Sequence, residues 1–522
     1  MYAEWKWLEW RISHLPPDLK RTHYDQFHQR WRDEPLRVIL ALRGFYVKAG
    51  QIISNNPALV PEAYAKSLKI LQEDVPAKPF AVIKKIVEED MGKKMEDVFS
   101  SFDEVPIGSA SIGQVHFAKL KAGDKKVVVK VQYPEAERYF ALDFWTALKI
   151  LEFVNPGLIE VMKKNQETFM SEFDYKREAK NLELMNSHVS PHFPSVQFPK
   201  PLNEHLGKRV LVMTAMEGET ITKYGKKLLA EIAKTRGKTP EEFKTELRNA
   251  MRDPKKLETL SKVVPSLNET FFDVLRSALH LKNVILFWLP ATYIPPNGPR
   301  LMQILFDVHG REIFNLGAFN SDPHAGNIML DEKTGIVSLL DYGQLVTVED
   351  EVWRENFARY IVALADEDKE EVVRRWKDLG NEFVWKPTGE INPPDITYAC
   401  ACFHFGGPPG IKKALSMLGI RMSKLHSDVF TKIDITKSTS QYAMLQRTCF
   451  CLIGVAQQVG AGAGVIPSQM LRSSAVQYIE ECEAKRKDAK EYSEKGDIYV
   501  AEKTSLLPKL ALLAFFVVAR IL

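Results

Sequence analysis

The sequence predicts an α+β protein of two lobes preceded by a helical extension. Three observations carry that expectation. Residues 1–95 hold long stretches of helical apolar periodicity, broken by Pro16-Pro17 and Pro57. A glycine-bearing loop, Gly108-Ser-Ala-Ser-Ile-Gly113-Gln-Val115, leads to the short β-branched run Val127-Val-Val-Lys-Val131, which reads as a strand. Far downstream, Asp322-Pro-His-Ala-Gly-Asn327 is followed fourteen residues on by Asp341-Tyr-Gly343. The expected blocks are a helical segment over 1–95, strands with a helical insertion over 96–216, and a mainly helical segment with short strands around the second motif over 217–480. A charged helix (Glu481 to Lys495) and an apolar tail fill 481–522.

Each element suggests chemistry. The loop matches the phosphate-cradling pattern G-x-G-x-x-G-x-V, with Ala110 where the middle glycine stands. Lys130, fifteen residues after Val115, is flanked by valines. A lysine in such a place is costly unless paired, and a phosphate together with an acidic helix residue would pair it. Asp-x4-Asn followed by Asp-aromatic-Gly is the arrangement of a kinase-like catalytic loop and metal loop. The first Asp there meets a hydroxyl proton, and the Asn and the second Asp hold Mg²⁺ against nucleotide phosphates.

Composition sets bounds. A chain of 522 residues with 45% hydrophobic and 26% charged residues is globular and long enough for a large two-lobed core. A net charge of +4 carries no nucleic-acid footprint. Five cysteines, an odd count, point to a reducing intracellular compartment. The pairs Cys400-Ala-Cys402 and Cys449-Phe-Cys451 have the wrong spacing for a metal site and read as buried structural cysteines. The start of the chain mixes Glu4 and Glu9 with Trp5, Trp7 and Trp10, so it reads as an amphipathic helix packing on the body or touching a membrane.

Further motifs sharpen this. Phe45-Tyr-Val-Lys-Ala-Gly-Gln51 holds K-x-G-Q, Pro61-Glu62 and Gln72-Glu-Asp-Val-Pro76 follow it, and Glu172-Phe-Asp174 holds E-x-D. Together with the loop and the D-P-x-x-G-N stretch, these resemble the ABC1/ADCK/UbiB family of atypical kinases over about residues 35–350. The resemblance implies a protein-kinase-like fold whose N-terminal helices cover the active site. It implies ATP and Mg²⁺ as cofactors, Asp322 as the catalytic aspartate, and Asn327 and Asp341 as metal ligands. Lys130 then meets the phosphates and pairs with Glu178. Lys48 and Gln51 face Glu172 and Asp174. Gly108, Ser109, Ala110, Ser111, Gly113, Val115, Met213 and Met216 lie along the nucleotide. A small or lipid-related substrate, a peripheral membrane contact and a mitochondrial or plastid location follow from the resemblance as well.

The chain also departs from familiar patterns. Gly108 and Ser109 stand where many family members have alanines, which leaves nucleotide preference open. Asn320-Ser321 replaces the His-Arg of ordinary kinase loops. No Ala-Pro-Glu follows Asp341-Tyr-Gly343, and a helix-like run begins at Val348. A peptide substrate therefore lacks its usual platform. Gly237-Lys238-Thr239 imitates the end of a P-loop, but Ile232 stands where the first glycine is required. The apolar tail from Leu510 to Ala519 is too short to span a bilayer and suits a surface anchor, a partner helix or part of a core. Val274 to Tyr293, interrupted by Arg276, His280 and Lys282, reads as a core helix. The expected activity is Mg²⁺-dependent ATP hydrolysis or phosphoryl transfer supporting quinone or other lipid metabolism. The alternatives are an ATP-gated scaffold and an ordinary Ser/Thr protein kinase.

Overall fold

The computed structural model describes residues 2–42, 44–55, 61–72, 76–109, 112–154, 159–243, 245–246, 274–275, 277–279, 297–420, 432–462 and 464–488. Five helices come first: α1 (Tyr2–Arg11), α2 (Pro17–Arg30), α3 (Glu34–Leu42), α4 (Gly44–Asn55) and α5 (Glu62–Leu68). Trp5 fastens α1 to α2, stacking on Tyr24 at 4.8 Å, while Trp7 and Trp10 stay exposed. The apolar tail, the end of the charged helix and most of the Val274 to Tyr293 stretch lie outside the described residues.

The small lobe is an antiparallel sheet in the order β1 (Phe99–Phe102), β3 (Gly113–Leu120), β4 (Lys126–Gln132), β6 (Val210–Thr214), with β2 (Gly108–Ser109) paired to β3. Side chains alternate across a strand. Val127, Val129 and Val131 therefore face the lobe core, and Lys130 faces the other way, into the cleft. Helix α6 (Phe80–Met91) closes that core with Ile83, Ile86 and Val87. The lobe thus reaches back before residue 95, because α6 spends its apolar face on the sheet. After the short α7 (Met95–Val98), the helical insertion is α8 (Ala136–Val154) and α9 (Ile159–Met170), followed by α10 (Tyr175–His188).

The large lobe is built on α11 (Ile221–Thr235), α12 (Gly298–Gly310), α13 (Glu351–Ala365), α14 (Lys369–Asp378), α15 (Pro394–Phe405), α16 (Gly407–Met417) and α17 (Ser440–Gln458), with residues 467–488 helical as well. Its core gathers Leu305, Phe306, Phe319, Tyr342, Phe357 and Leu445. A second sheet, ordered β5 (Val196–Gln197), β10 (Val337–Leu339), β9 (Ile328–Leu330), β7 (Glu219–Thr220), lies under the cleft. A two-stranded ribbon pairs β8 (Ala318–Asn320) with β11 (Leu345–Thr347). The charged C-terminal helix docks on α13, where Glu355 accepts from Arg359 at 2.8 Å and from Arg486 at 2.7 Å.

Two glycines seat the N-terminal extension. Gly44 has φ 52 and opens α4 beside α8, where the Phe45 backbone N–H donates to Asp143 Oδ2 at 3.2 Å. Phe45 then packs on Phe144 at 4.3 Å between ring centres. Gly50 sits where a β-carbon would come within 2.4 Å of Leu71 Cδ1, and Leu71 is fully buried. Gly50→Val should therefore cost roughly 1–3 kcal/mol by overpacking. It should also accelerate amide exchange in α4 while the β3–β4 core stays protected, measured by denaturant titration and hydrogen exchange.

Candidate active site

Lys130 Nζ donates to both carboxylate oxygens of Glu178, at 2.8 and 2.9 Å, and to Asp341 Oδ2 at 3.0 Å. Glu178 is on α10, and its side chain is almost wholly buried. Asp341 follows β10, and its other oxygen accepts the Gly343 backbone N–H at 2.9 Å. The Tyr175 ring lies 5.3 Å from the ammonium. Burial and then the Asp341 charge push Glu178 up to about 7, against the pull of Lys130. Burial works against the Lys130 charge, but Asp341 and Glu178 overcome it and hold its pKa well above the ordinary lysine value.

A second cluster surrounds Asp322, which the loop between β8 and β9 presents to the cleft. Lys48 Nζ, one turn into α4, lies 2.9 Å from Glu172 Oε1 and 3.7 Å from Asp322 Oδ2. Gln344 Nε2 bridges the same two acids, donating to Glu172 at 2.7 Å and to Asp322 Oδ2 at 2.9 Å. Arg447 reaches Asp322 Oδ1 at 3.2 Å, and the Cys451 thiol lies 3.9 Å from the same oxygen. Burial alone would raise Asp322, but Arg447 and then Lys48 hold it well below the usual carboxylate range. The loop is pinned from behind. Asp322 N–H donates to Asn320 Oδ1 at 2.9 Å, and Asn320 Nδ2 donates to the Asp341 carbonyl at 2.8 Å.

Asp174 stands apart from this cluster. Its carboxylate is exposed and accepts the Arg177 backbone N–H at 3.0 Å as the N-cap of α10. A helix start needs such an acceptor, so the expected meeting of Lys48 with both acids reduces to Glu172. Gln51 lies on α4, and its side chain falls outside the described ones, as do Ala110 and Ser111 altogether. Gly108 pairs with Val115 and Ser109 with Gln114, which makes the loop a hairpin over the cleft. Ser109 Oγ lies 3.2 Å from Tyr133 OH, which turns it toward the lobe. In Gly113 a β-carbon would press on the Val131 carbonyl at 2.4 Å. Met213 pairs with Val128 at the rear of the cleft and joins the large-lobe core, and Met216 is half-buried in the link after β6.

Asn327 opposes the metal-loop strand: its carbonyl accepts the Leu340 N–H at 2.9 Å, one residue before Asp341. Among the described residues its side-chain amide makes no hydrogen bond, so its amide oxygen has no protein donor to give up to a cation. Hard oxygen ligands of this kind suit Mg²⁺, which takes one or two protein ligands and completes its shell with phosphate and water. The residues therefore fit the cation. Gly343 is followed at once by β11 and, from Glu351, by α13 capped by Asp350. Residues 344–350 are the whole link between Gly343 and α13. The P-loop imitation is a solvated turn in which Lys238 pairs with Glu246 at 2.7 Å and Thr239 accepts the Glu242 N–H at 3.3 Å.

Gln344, Arg447 and Cys451 had no signal in the sequence. Cys400, Cys402 and Cys449 are buried as expected, but Cys451 faces Asp322 instead. The i, i+2 spacing on a helix sends the two thiols of each pair to different sides.

Fold and cleft define a kinase-like protein with a strand lysine paired to a helix glutamate. The chain matches the ABC1 atypical kinase-like domain over residues 70–241 and 296–376. It is 37% identical to AarF domain-containing protein kinase 1 of Xenopus tropicalis over 37% of this chain and 38% of that one. It is 34% identical to Protein ACTIVITY OF BC1 COMPLEX KINASE 1, chloroplastic, of Arabidopsis thaliana over 36% of this chain and 29% of that one. With AarF domain-containing protein kinase 1 of Gallus gallus it shares 29% identity over 68% of this chain and 57% of that one. The aligned stretches thus span well under two thirds of these relatives. A solved Mycobacterium tuberculosis protein in complex with erythromycin superposes with a TM-score of 0.46 at 17% identity, over 87% of this chain and 97% of that chain. Among the described residues no helix is long and apolar enough to cross a membrane.

A pH dependence follows. The Glu178 pKa is raised above that of a free glutamate, so its contribution to stability is complete below about pH 4 and is lost as pH rises through about 7. The lowered pKa of Asp341 works in the opposite sense, and its contribution is lost only as pH falls through the acid range. The melting temperature should therefore fall between about pH 4.5 and 7, and Glu178→Gln should flatten that part of the profile. An equal slope in both proteins would contradict the assignment of the buried charge.

Proposed function

We propose that the chain binds ATP with Mg²⁺ between its lobes and hydrolyses it, or passes its phosphoryl group to the hydroxyl of a small, lipid-related molecule in quinone or other lipid metabolism. The observation that carries this is Lys130 held at once by Glu178 and Asp341. It aligns the strand lysine, the helix glutamate and the metal loop as phosphoryl transfer requires. In this reading Lys130 holds phosphate oxygens, Asn327 and Asp341 hold the cation, and Asp322 orients the acceptor hydroxyl or water. Bound Mg²⁺ would neutralise charge developing on the transferred group. The chloroplastic relatives favour an organelle setting, plastid or mitochondrial, and the apolar sequence of residues 506–522 favours peripheral membrane contact.

A second reading has its own support. Lys48 pairs with Glu172 and Asp322 together, so the extension closes over the catalytic carboxylate. A protein resting in that state is an ATP-gated scaffold that changes shape on nucleotide binding. A protein kinase is the poorer fit, since the cover and the short link after Gly343 leave no peptide platform.

Phosphate release and thermal stabilisation by Mg·ATP separate these readings. Ligand at about a hundred times its Kd stabilises by about 2.7 kcal/mol, and Asp341→Asn should abolish that gain and the phosphate release. An undiminished shift in the variant would count against the site. If the closed cover limits turnover, Lys48→Ala should raise phosphate release or autophosphorylation. The scaffold reading expects nucleotide stabilisation without release in either protein.

A further inference from the structure

Helix α17 lies beyond the residues that match the family domain, which end at 376. One face of it nevertheless grips the catalytic loop. Thr448 Oγ1 donates to the Asn320 carbonyl at 3.3 Å. Arg447 and Cys451, one turn apart, both reach Asp322 Oδ1, at 3.2 and 3.9 Å. The other oxygen, Oδ2, is met by Lys48 at 3.7 Å and by Gln344 at 2.9 Å. The two oxygens of one carboxylate are thus divided between two cations of different standing. Lys48 rides on the covering helix. Arg447 is anchored in the packed large lobe, on a helix that buries Leu445, Cys449 and Leu452.

We infer that Arg447 is a positioning residue for the reaction at Asp322. It fixes Oδ1 from the lobe side and leaves Oδ2 as the oxygen that Lys48 covers and that a substrate hydroxyl meets once the cover lifts. It supplies from a distant helix the loop cation that Asn320-Ser321 lacks. The inference rests on the proposed role of Asp322. Charged and titratable neighbours from every packed element are few: Lys48 on α4, Glu172 beyond Lys48 and Gln344, His324 on the loop itself, and Arg447 and Cys451 on α17. Arg447 is the cation that does not leave with the cover. A carboxylate this enclosed loses its preference for the charged form when its counter-ion goes.

The test is the pH–rate profile of ATP turnover by the full chain. Arg447→Gln should lower kcat by on the order of 10–100-fold, as misplacing a reacting group does. It should also move the acidic limb upward by about one unit or more, while stabilisation by Mg·ATP is kept. Arg447→Lys should return the limb toward its original position. A lowered melting temperature with an unmoved profile would reduce Arg447 to a packing role and overturn the inference. Should Arg447→Gln fail to fold, Lys48→Ala decides: the acidic limb stays in place if Arg447 is the holding cation, and a rise of about a unit or more overturns it. Asp322→Asn is the control. If it retains turnover, the reading of Asp322 fails and takes the inference about Arg447 with it, an outcome distinct from an unmoved profile in Arg447→Gln alone.

Discussion

The Lys130 ammonium, taken largely out of water and shared by two carboxylates, joins three distant parts of the chain. β4 supplies the lysine, α10 supplies Glu178, and the loop after β10 supplies Asp341. Removing any partner would leave an uncompensated buried charge, which is far costlier than losing an exposed ion pair. Two acids on one base leave the cluster one positive charge short. Burial first, and that imbalance second, push Glu178 up to about 7, and a cation beside Asp341 would relieve the imbalance. The same contact that closes the lobes thus prepares a place for positive charge.

The covering extension depends on this frame in turn. Glu172 is the middle residue of the turn Ser171–Phe173 that leads into α10, so the segment that delivers Glu178 to Lys130 also delivers Glu172 to Lys48. Lys48 itself is aimed by the start of α4, where Gly44, Asp143 and the Phe45–Phe144 contact fix the helix against α8. Asp322 gains a removable cation on one oxygen and a permanent one on the other. The carboxylate under the closed cover is held in its charged form, against burial, by Arg447 first and Lys48 second.

Much of this was legible in the sequence, for definite reasons. Lys130 flanked by valines could only face away from the core those valines build, because strand side chains alternate. Asp322, Asn327 and Asp341 lie on short turns between strands, where spacing in the chain is close to spacing in the fold. Arg447 and Cys451 lie on a helix whose other residues are ordinary core, and nothing in its periodicity tells which polar face meets the loop. Asp174 could not be told from Glu172 in the motif. Capping a helix and pairing with a lysine ask for the same side chain, and only the start of α10 decides between them. The small-lobe boundary was misplaced for a similar reason: an apolar helix face such as that of α6 reads alike whether it packs on other helices or on a sheet.

The tyrosine of Asp341-Tyr-Gly343, where kinases commonly place phenylalanine, has a reason of its own. Tyr342 OH donates to Glu312 Oε1 at 2.6 Å, and the Asn320 backbone N–H donates to Glu312 Oε2 at 3.1 Å. Glu312 is fully buried in the π-helical turn Arg311–Leu316, and burial raises its pKa against the pull of His309 and Tyr342. Such a turn often marks a functional position. Here it brings one carboxyl group to the strand that leads to Asp322 and to the loop that carries Asp341. Asn181 Nδ2 donates to the Tyr342 carbonyl at 2.8 Å, so the helix bearing Glu178 is tied to the same tyrosine. A phenylalanine would leave a buried carboxyl oxygen without its donor, at a cost of about 1–3 kcal/mol. Tyrosine, Glu312 and Asn320 thus hold the backbones around Asp322 and Asp341 in mutual register, while Arg447 and Lys130 hold their carboxylates.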